Sequence, residues 1–147
     1  MLHVGTVKTG STSLQAYFAE HQQALAEAGW CYLPAVGRPD RRDLAAACIA
    51  IDDQRDELLR ALRLVEPQQR LAFRQQVQAE LEAQLKALPP ELGVILSSEH
   101  FHLSLQSPEE IQTLKQLLLE LGLEVQQVVI YLREPLALIE SLFSTMV

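Results

Sequence analysis

The 147-residue chain has 48% hydrophobic residues, 21% charged residues and a formal net charge of −7. This length and composition fit one soluble globular domain with a sizeable core. The acidic balance argues against a nucleic-acid-binding surface, and no apolar run is long enough to predict a membrane span. Cys31 and Cys48 are too few for a disulfide framework or a metal site. We expect them to be buried, reduced thiols, which fits a cytoplasmic protein.

Hydrophobic periodicity and turn residues predict strands and helices in alternation. The predicted elements are a strand at 2–5, a helix at 11–28, a strand or extended segment at 30–34, helical residues at 41–63 with a break near Ile51–Asp52, a helix at 67–88, a strand at 94–96, a helix at 108–121, a strand at 125–132 and a helix from 135. This order predicts an α/β fold in which helices cover the faces of a parallel sheet.

Two of the predicted helices carry apolar stripes that indicate which side faces the core. Leucines and a valine recur at helical spacing in the helix at 67–88, and an isoleucine and leucines recur in the helix at 108–121. The predicted core positions are Val77, Leu81, Leu85, Leu88, Ile111, Leu114, Leu117, Leu118 and Leu121.

Polar clusters follow three of the predicted strands, at residues 5–12, 97–102 and 133–134. The carboxyl ends of parallel strands meet at one edge of a sheet, where open α/β sheets bind their ligands. The three clusters therefore predict one site at that edge.

The first cluster lies in the stretch VGTVKTGSTSLQAYF, where a loop precedes a helix. Backbone N–H groups of Thr9, Gly10, Ser11 and Thr12 can hold an anion at a helix N-terminus, and Lys8 adds a positive charge. A polar turn capped by Ser11 is the alternative interpretation. A Walker A loop needs Gly-Lys-Ser/Thr, and Ser11 stands where that lysine belongs, which argues against a P-loop kinase.

The third cluster contains Arg133, followed by Glu134-Pro135, with Ser141 eight residues after the arginine. A guanidinium and a hydroxyl suit a terminal phosphate, because arginine can bind phosphate oxygens in pairs. The alternative is a surface arginine paired with Glu134 and an ordinary helical serine.

Taken together, three stretches resemble the PAPS-dependent sulfotransferases of bacterial type. GTVKTGSTSLQAYF resembles their 5′-phosphosulfate loop, VILSSEHF their central strand, and VVIYLREPLALIESLFS their 3′-phosphate motif, although Glu134 replaces the usual Asp or Asn. The resemblance spans residues 2–144, with a divergent stretch between about 35 and 90.

This resemblance implies a P-loop-like three-layer αβα fold and 3′-phosphoadenosine 5′-phosphosulfate (PAPS) as sulfuryl donor, with no metal required. By the resemblance, Lys8 and the N–H groups of residues 9–12 bind the 5′-phosphosulfate, and Lys8 neutralises charge that develops on the leaving phosphate. Arg133 and Ser141 bind the 3′-phosphate.

The resemblance also calls for a base that takes a proton from the acceptor hydroxyl or amine. Glu99, after the second strong strand, is our choice; His100 and His102 are rivals, and a carboxylate that only orders the loop is the alternative. Carbohydrate, lipid and phenolic acceptors all remain open.

Sulfotransferase domains continue beyond the arginine–serine helix, so the resemblance covers their N-terminal, donor-binding portion and implies a truncated domain. Such a portion is expected to expose core surface on its last helix and sheet edge, and therefore to self-associate. A non-catalytic remnant or interaction module is the alternative function.

Overall fold

The computed structural model describes residues 1–53 and 57–146, in which short strands alternate with helices. The elements are β1 (Leu2–Val4), α1 (Ser11–Glu20), α2 (Gln22–Glu27), β2 (Trp30–Tyr32), α3 (Arg42–Cys48), α4 (Glu57–Ala61), α5 (Pro67–Lys86), β3 (Gly93–Ser98), α6 (His100–Leu103), α7 (Pro108–Glu120), β4 (Val128–Ile130) and α8 (Pro135–Met146). None of the helices in these ranges combines the length and the apolar composition that a membrane span needs.

The strands form one parallel sheet in the order β2-β3-β1-β4. Leu2 of β1 lies opposite Leu96 of β3 on one side and Val128 of β4 on the other. Because the strands are parallel, the segments that follow β1, β3 and β4 leave the sheet at the same edge. The predicted α/β fold with a parallel sheet is confirmed.

Helices lie on both faces of the sheet. Successive side chains of a strand point to opposite faces, so alternate residues pack against the helices of each face. On one face, Gln15 of α1 donates a hydrogen bond to Ser97 of β3, and the ring of Phe18 lies 5.3 Å from that of Tyr32. The opposite face carries Leu2 and Leu96 and packs against the main hydrophobic core. That core is built mainly from α3, α5 and α7.

Helix α3 lies at the centre of this core, and its residues 44–48 are all buried. Three consecutive alanines give it the small side chains that let neighbouring helices approach. Polar groups then satisfy the backbone where the helix ends: Arg74 binds the carbonyl of Ala47 at 2.6 Å, and Glu110 accepts the amide of Ala50 at 2.9 Å. A buried helix end without such partners is costly, so these contacts fix the turn that follows.

The predicted core stripes are largely confirmed. In α5, Val77 and Leu81 are buried, and Leu85 and Leu88 pack partly against the core; in α7, Leu114, Leu117 and Leu118 are buried and Leu121 is half-buried. The predicted core position Ile111 is wrong, because its side chain is 56% exposed. It lines an open groove between α7 and β4 instead.

The predicted helix at 11–28 is divided at His21, whose φ of −112° and ψ of 33° leave the helical region. Its ring stacks on Tyr17 at 4.1 Å, and its Nδ1 lies 2.9 Å from the Tyr17 carbonyl oxygen, which also accepts the His21 amide. The helical prediction for 41–63 resolves into α3 and α4 with a turn at Ile51–Asp52, and its residues 54–56 lie outside the described ranges.

The last strand and helix differ most from expectation. The strand predicted at 125–132 is paired only over Val128–Ile130, at the edge of the sheet, and the side chain of Val128 is 60% exposed where it lines the groove beside α7. Apolar residues of α8 are exposed as well, as predicted, including Leu136, Ile139 and Phe143.

Candidate anion-binding site

The loop after β1 turns sharply through two residues with positive φ, Lys8 at 59° and Gly10 at 85°. Left-handed residues within a tight turn direct successive backbone N–H groups into one concavity, the type of backbone that binds anions. No atom lies within 4 Å of a Cβ built on Gly10, so the backbone angle and not the space favours glycine there.

Helix α1 begins immediately after this turn, with Gly10 at its N-cap. Glycine has no side chain that could accept the first free N–H groups, and a helix of ten residues adds the positive end of its dipole. The alternative in which Ser11 caps the helix is wrong, because Ser11 is the first helical residue.

The hydroxyl of Ser11 is buried without a hydrogen-bond partner among the described residues, which is unusual for a polar group. Ser11 is only 4% exposed, and its Oγ makes no hydrogen bond within residues 1–53 and 57–146. Leaving a buried hydroxyl unpaired costs about 1–3 kcal/mol. A ligand oxygen held at the N-terminus of α1 is the type of partner that would remove this cost.

Gly5 explains how α1 comes so close to the sheet. A Cβ at position 5 would lie 2.3 Å from Ser11 Oγ and 3.3 Å from the Cα of Glu99. The first distance is too short for a side-chain atom and the second is tight, so a larger residue here would force the Ser11 side chain to shift. The same contacts place the loop, the start of α1 and the end of β3 against one another.

The Thr6 hydroxyl and Arg133 join the loop to the segment after β4, and the Thr9 hydroxyl makes a bond within the loop. Thr6 Oγ1 donates to the Tyr131 carbonyl at 2.7 Å, and Thr9 Oγ1 donates to the Thr6 carbonyl at 2.8 Å. Arg133 Nη1 donates to the Lys8 carbonyl at 2.9 Å. The sequence-predicted residues Lys8, Thr9 and Arg133 are therefore brought together, although the two segments are far apart in the chain.

Arg133 does not use its neighbour as a partner. Glu134 Oε2 accepts the amide of Ala137 at 2.8 Å, a capping contact at the start of α8. Hydrogen bonds from the amides of Ala137 and Leu136 lower the pKa of Glu134. The alternative interpretation of Arg133 as a surface arginine is correct in that its side chain is exposed, but among the described residues its hydrogen bond goes to Lys8 and not to Glu134.

Ser141 lies in the second turn of α8, where it is half-buried, and its carbonyl accepts the hydroxyl of Ser144 at 3.0 Å. It lies six positions after Pro135, a distance of about 9 Å along the helix axis. Of the two residues predicted for the 3′-phosphate, Arg133 contacts the loop through the Lys8 carbonyl.

The predicted base Glu99 directly follows β3, one residue beyond the pair formed by Val4 and Ser98. It is half-buried beside Gly5. His100 lines a neighbouring cavity of about 480 Å³ with Asp53 and Glu57, and its Nδ1 lies 3.4 Å from Ser104 Oγ. His102 is exposed. Glu99 is therefore the member of this trio whose backbone touches the loop.

Sequence reasoning missed a buried polar group beneath the loop. His3 Nδ1 lies 2.7 Å from Ser97 Oγ, and Gln15 donates to the same oxygen at 3.2 Å. Burial lowers the pKa of His3, because a charged imidazole loses its hydration there. A usable signal was present: His3 and Ser97 each stand two residues before the loop residues Gly5 and Glu99, which places them on one face of neighbouring strands.

The thiols lie away from this edge and are not paired with each other. Cys48 is buried in α3, and Cys31 is half-buried in β2. The expectation of free thiols is confirmed for both residues, and that of burial for Cys48.

The candidate site thus combines a left-handed turn, the N-terminus of α1, the cations Lys8 and Arg133, and the carboxylate Glu99. Such a group can bind a phosphate-like anion and hold a base next to it. Comparison of the chain with protein-family models, with curated proteins and with solved structures finds no match.

Proposed function

We propose that the chain binds PAPS through residues 5–12 and Arg133, as part of a sulfotransferase that transfers a sulfuryl group to a hydroxyl or amine acceptor. The observation that carries the proposal is the buried, unpaired Ser11 hydroxyl at the N-terminus of α1, within a loop that Arg133 joins from another strand. A bound anion would complete the hydrogen bonding of that hydroxyl.

Lys8 and the backbone N–H groups of Thr9, Gly10, Ser11 and Thr12 would hold the 5′-phosphosulfate. Two features support this role: the positive φ of Lys8 and Gly10, and the glycine N-cap, which leaves the first N–H groups of α1 without a side-chain acceptor. Lys8 would then be near the oxygen on which negative charge grows during transfer.

Arg133 and Ser141 would hold the 3′-phosphate of the donor. The bond from Arg133 to the Lys8 carbonyl keeps the guanidinium beside the loop, and a guanidinium carries further N–H donors for a phosphate. Ser141 would contribute a hydroxyl from the second turn of α8.

The donor supplies the sulfuryl group, which bonds to the acceptor oxygen or nitrogen as its bond to the 5′-phosphate oxygen breaks. Glu99 would take the proton that the acceptor loses. Its position beside Gly5 supports this assignment over His100, which faces the cavity with Asp53 and Glu57, and over the exposed His102.

Calorimetric titration of the folded, monodisperse protein with 3′,5′-bisphosphoadenosine tests the donor site directly. Binding that is at least about tenfold tighter than that of 5′-AMP is expected, since a phosphate bound by arginine contributes about 1.5–3 kcal/mol. Absence of detectable binding at millimolar nucleotide would overturn the proposal.

An interaction module without catalysis is the second candidate, favoured by the exposed apolar side chains of β4 and α8. It predicts retained bisphosphoadenosine binding with no transfer from PAPS to carbohydrate, lipid or phenolic acceptors. Sulfuryl transfer to any one of these acceptors would show that the protein is an enzyme. Loss of that transfer in Glu99→Gln, with nucleotide binding retained, would support Glu99 as the base.

A further inference from the structure

We propose that His3, Ser97 and Gln15 form a positioning cluster, a buried hydrogen-bonded group that holds the loop 5–12 and Glu99 at a fixed spacing. The three residues do not face the ligand themselves. The inference rests on the proposed function where it concerns nucleotide binding, and on the hydrogen bonds of the cluster where it concerns the order of the loop.

Each member stands just before or after a segment of the candidate site. His3 precedes Gly5 by two residues, Ser97 precedes Glu99 by two residues, and Gln15 follows Ser11 by one helical turn. All three meet at one atom, Ser97 Oγ, at 2.7 Å from His3 Nδ1 and 3.2 Å from Gln15 Nε2. The cluster therefore joins β1, β3 and α1 directly below the place where they diverge to form the site.

The burial of the cluster makes the loss of any of these hydrogen bonds energetically costly. His3 is 1% exposed, Ser97 is fully buried and Gln15 is 4% exposed. Hydrogen bonds in such surroundings are not exchanged for bonds to bulk water, so losing one partner leaves the others unsatisfied. Apolar packing at this place would hold the segments together without fixing their orientation, because it is not directional as hydrogen bonds are.

The fourth segment of the site also reaches the cluster. The ring of His3 lies 5.6 Å from that of Tyr131, which stands two residues before Arg133 and whose carbonyl accepts the Thr6 hydroxyl. The imidazole is thus in contact with the strand ends that lead to the loop, to Glu99 and to Arg133. A displacement of His3 would move all three.

Hydrogen–deuterium exchange followed by mass spectrometry tests the cluster without any ligand. Ser97→Ala removes the shared oxygen, and Gln15→Met removes one donor at nearly constant volume, as a milder variant in case the first folds poorly. We expect amides of residues 5–12 to exchange about tenfold faster in both, the effect of losing one buried hydrogen bond.

Val77→Ala is the matched control, because Val77 is buried in α5 on the other side of the sheet. It lowers stability without touching the cluster, and the loop amides should keep their wild-type exchange. Unchanged loop exchange in Ser97→Ala and Gln15→Met, or equally fast loop exchange in Val77→Ala, would overturn the positioning role.

Calorimetry on the same proteins separates this inference from the proposed function. If the wild type binds bisphosphoadenosine, the cluster variants should bind about tenfold more weakly and Val77→Ala should not; equal affinity in all variants contradicts the cluster. If the wild type does not bind, the proposed function fails, and the exchange experiment still decides whether the cluster orders the loop.

Discussion

Arg133 Nη1 donates a 2.9 Å hydrogen bond to the backbone carbonyl of Lys8, so a residue three positions beyond β4 touches the loop after β1. The contact brings a cation from the segment after β4 to a loop that has its own cation. Two nucleotides that differ by one phosphate can test which phosphate each cation binds.

Arg133→Ala should weaken binding of 3′,5′-bisphosphoadenosine by about 10- to 100-fold and change that of 5′-AMP much less, since AMP has no 3′-phosphate. Lys8→Ala should weaken the binding of both nucleotides. Lys115→Ala, which removes an exposed positive charge on α7, is the control for net charge and should leave both affinities unchanged. An Arg133→Ala effect of equal size on the two nucleotides would contradict the assignment of Arg133 to the 3′-phosphate.

Gly5→Ala should lower the free energy of unfolding by about 1–3 kcal/mol, because the added methyl group would lie 2.3 Å from Ser11 Oγ. Ser11→Ala in the same chain removes that atom and should restore part of the loss. Urea unfolding of the two single variants and the double variant measures the coupling. Additive effects would show that the two positions do not collide.

These predictions depend on geometry that the sequence supplied only in part. The parallel sheet and its helices could be predicted because Val94, Ile95 and Leu96 form a continuous apolar run and the stripe at Val77 and Leu81 has helical spacing. Segments that follow parallel strands must share an edge, so the meeting of Lys8 and Arg133 followed from the predicted topology.

Most of the remainder could not be predicted, because it depends on contacts between residues that are far apart in the chain. The exposure of Val128 depends on how far the neighbouring helices cover the face of β4, and no local pattern reveals that. The role of His3 was missed for a similar reason, since its partner Ser97 lies 94 residues away. The break at His21 arises from its own ring, which binds the Tyr17 carbonyl and stacks on the Tyr17 ring, and neither glycine nor proline marks it.

Stability should fall as the pH drops below about 6.5, the ordinary pKa of histidine. Burial lowers the folded-state pKa of His3, so between that pKa and the unfolded value the unfolded chain binds the proton and the folded protein does not. The free energy of unfolding should therefore decrease by up to about 1.4 kcal/mol for each pH unit that the pH falls in this range. Urea titrations at several pH values should give a shallower dependence for His3→Gln.

Val77→Ala provides the control for this experiment. It removes a buried apolar side chain and no titratable group, so it should keep the wild-type pH dependence. An identical slope for His3→Gln and the wild type would contradict the assignment to His3.

Cys48 should react with an aromatic disulfide reagent only when the chain unfolds. Its burial raises the pKa of the thiol to about 12, which leaves almost no thiolate at neutral pH. Cys31 is half-buried and should react first, although burial raises its pKa as well. Cys31→Ser should abolish the fast reaction of the native protein, and a fast phase that persists in this variant would assign it to Cys48.

The exposed apolar residues of α8 should cause self-association that increases with concentration. Leu136 and Phe143 are each 69% exposed, and replacing both with serine should lower the sedimentation coefficient at high protein concentration towards that of a monomer. Leu71→Ser, at an exposed position of α5, is the control. A monomeric wild type at all concentrations, or undiminished association of the double variant, would contradict this prediction.

The place of β1 between β3 and β4 has a consequence for the order of events during folding. Leu2 pairs with Leu96 and Val128, so β1 is synthesised well before both of its partner strands and forms its sheet hydrogen bonds only after they are made. Closing such long loops costs entropy before any contact repays it. Until β3 has been synthesised, the loop 5–12 has no strand beside β1 to support it, and a nascent chain should order this loop only after β3 and β4 have been made.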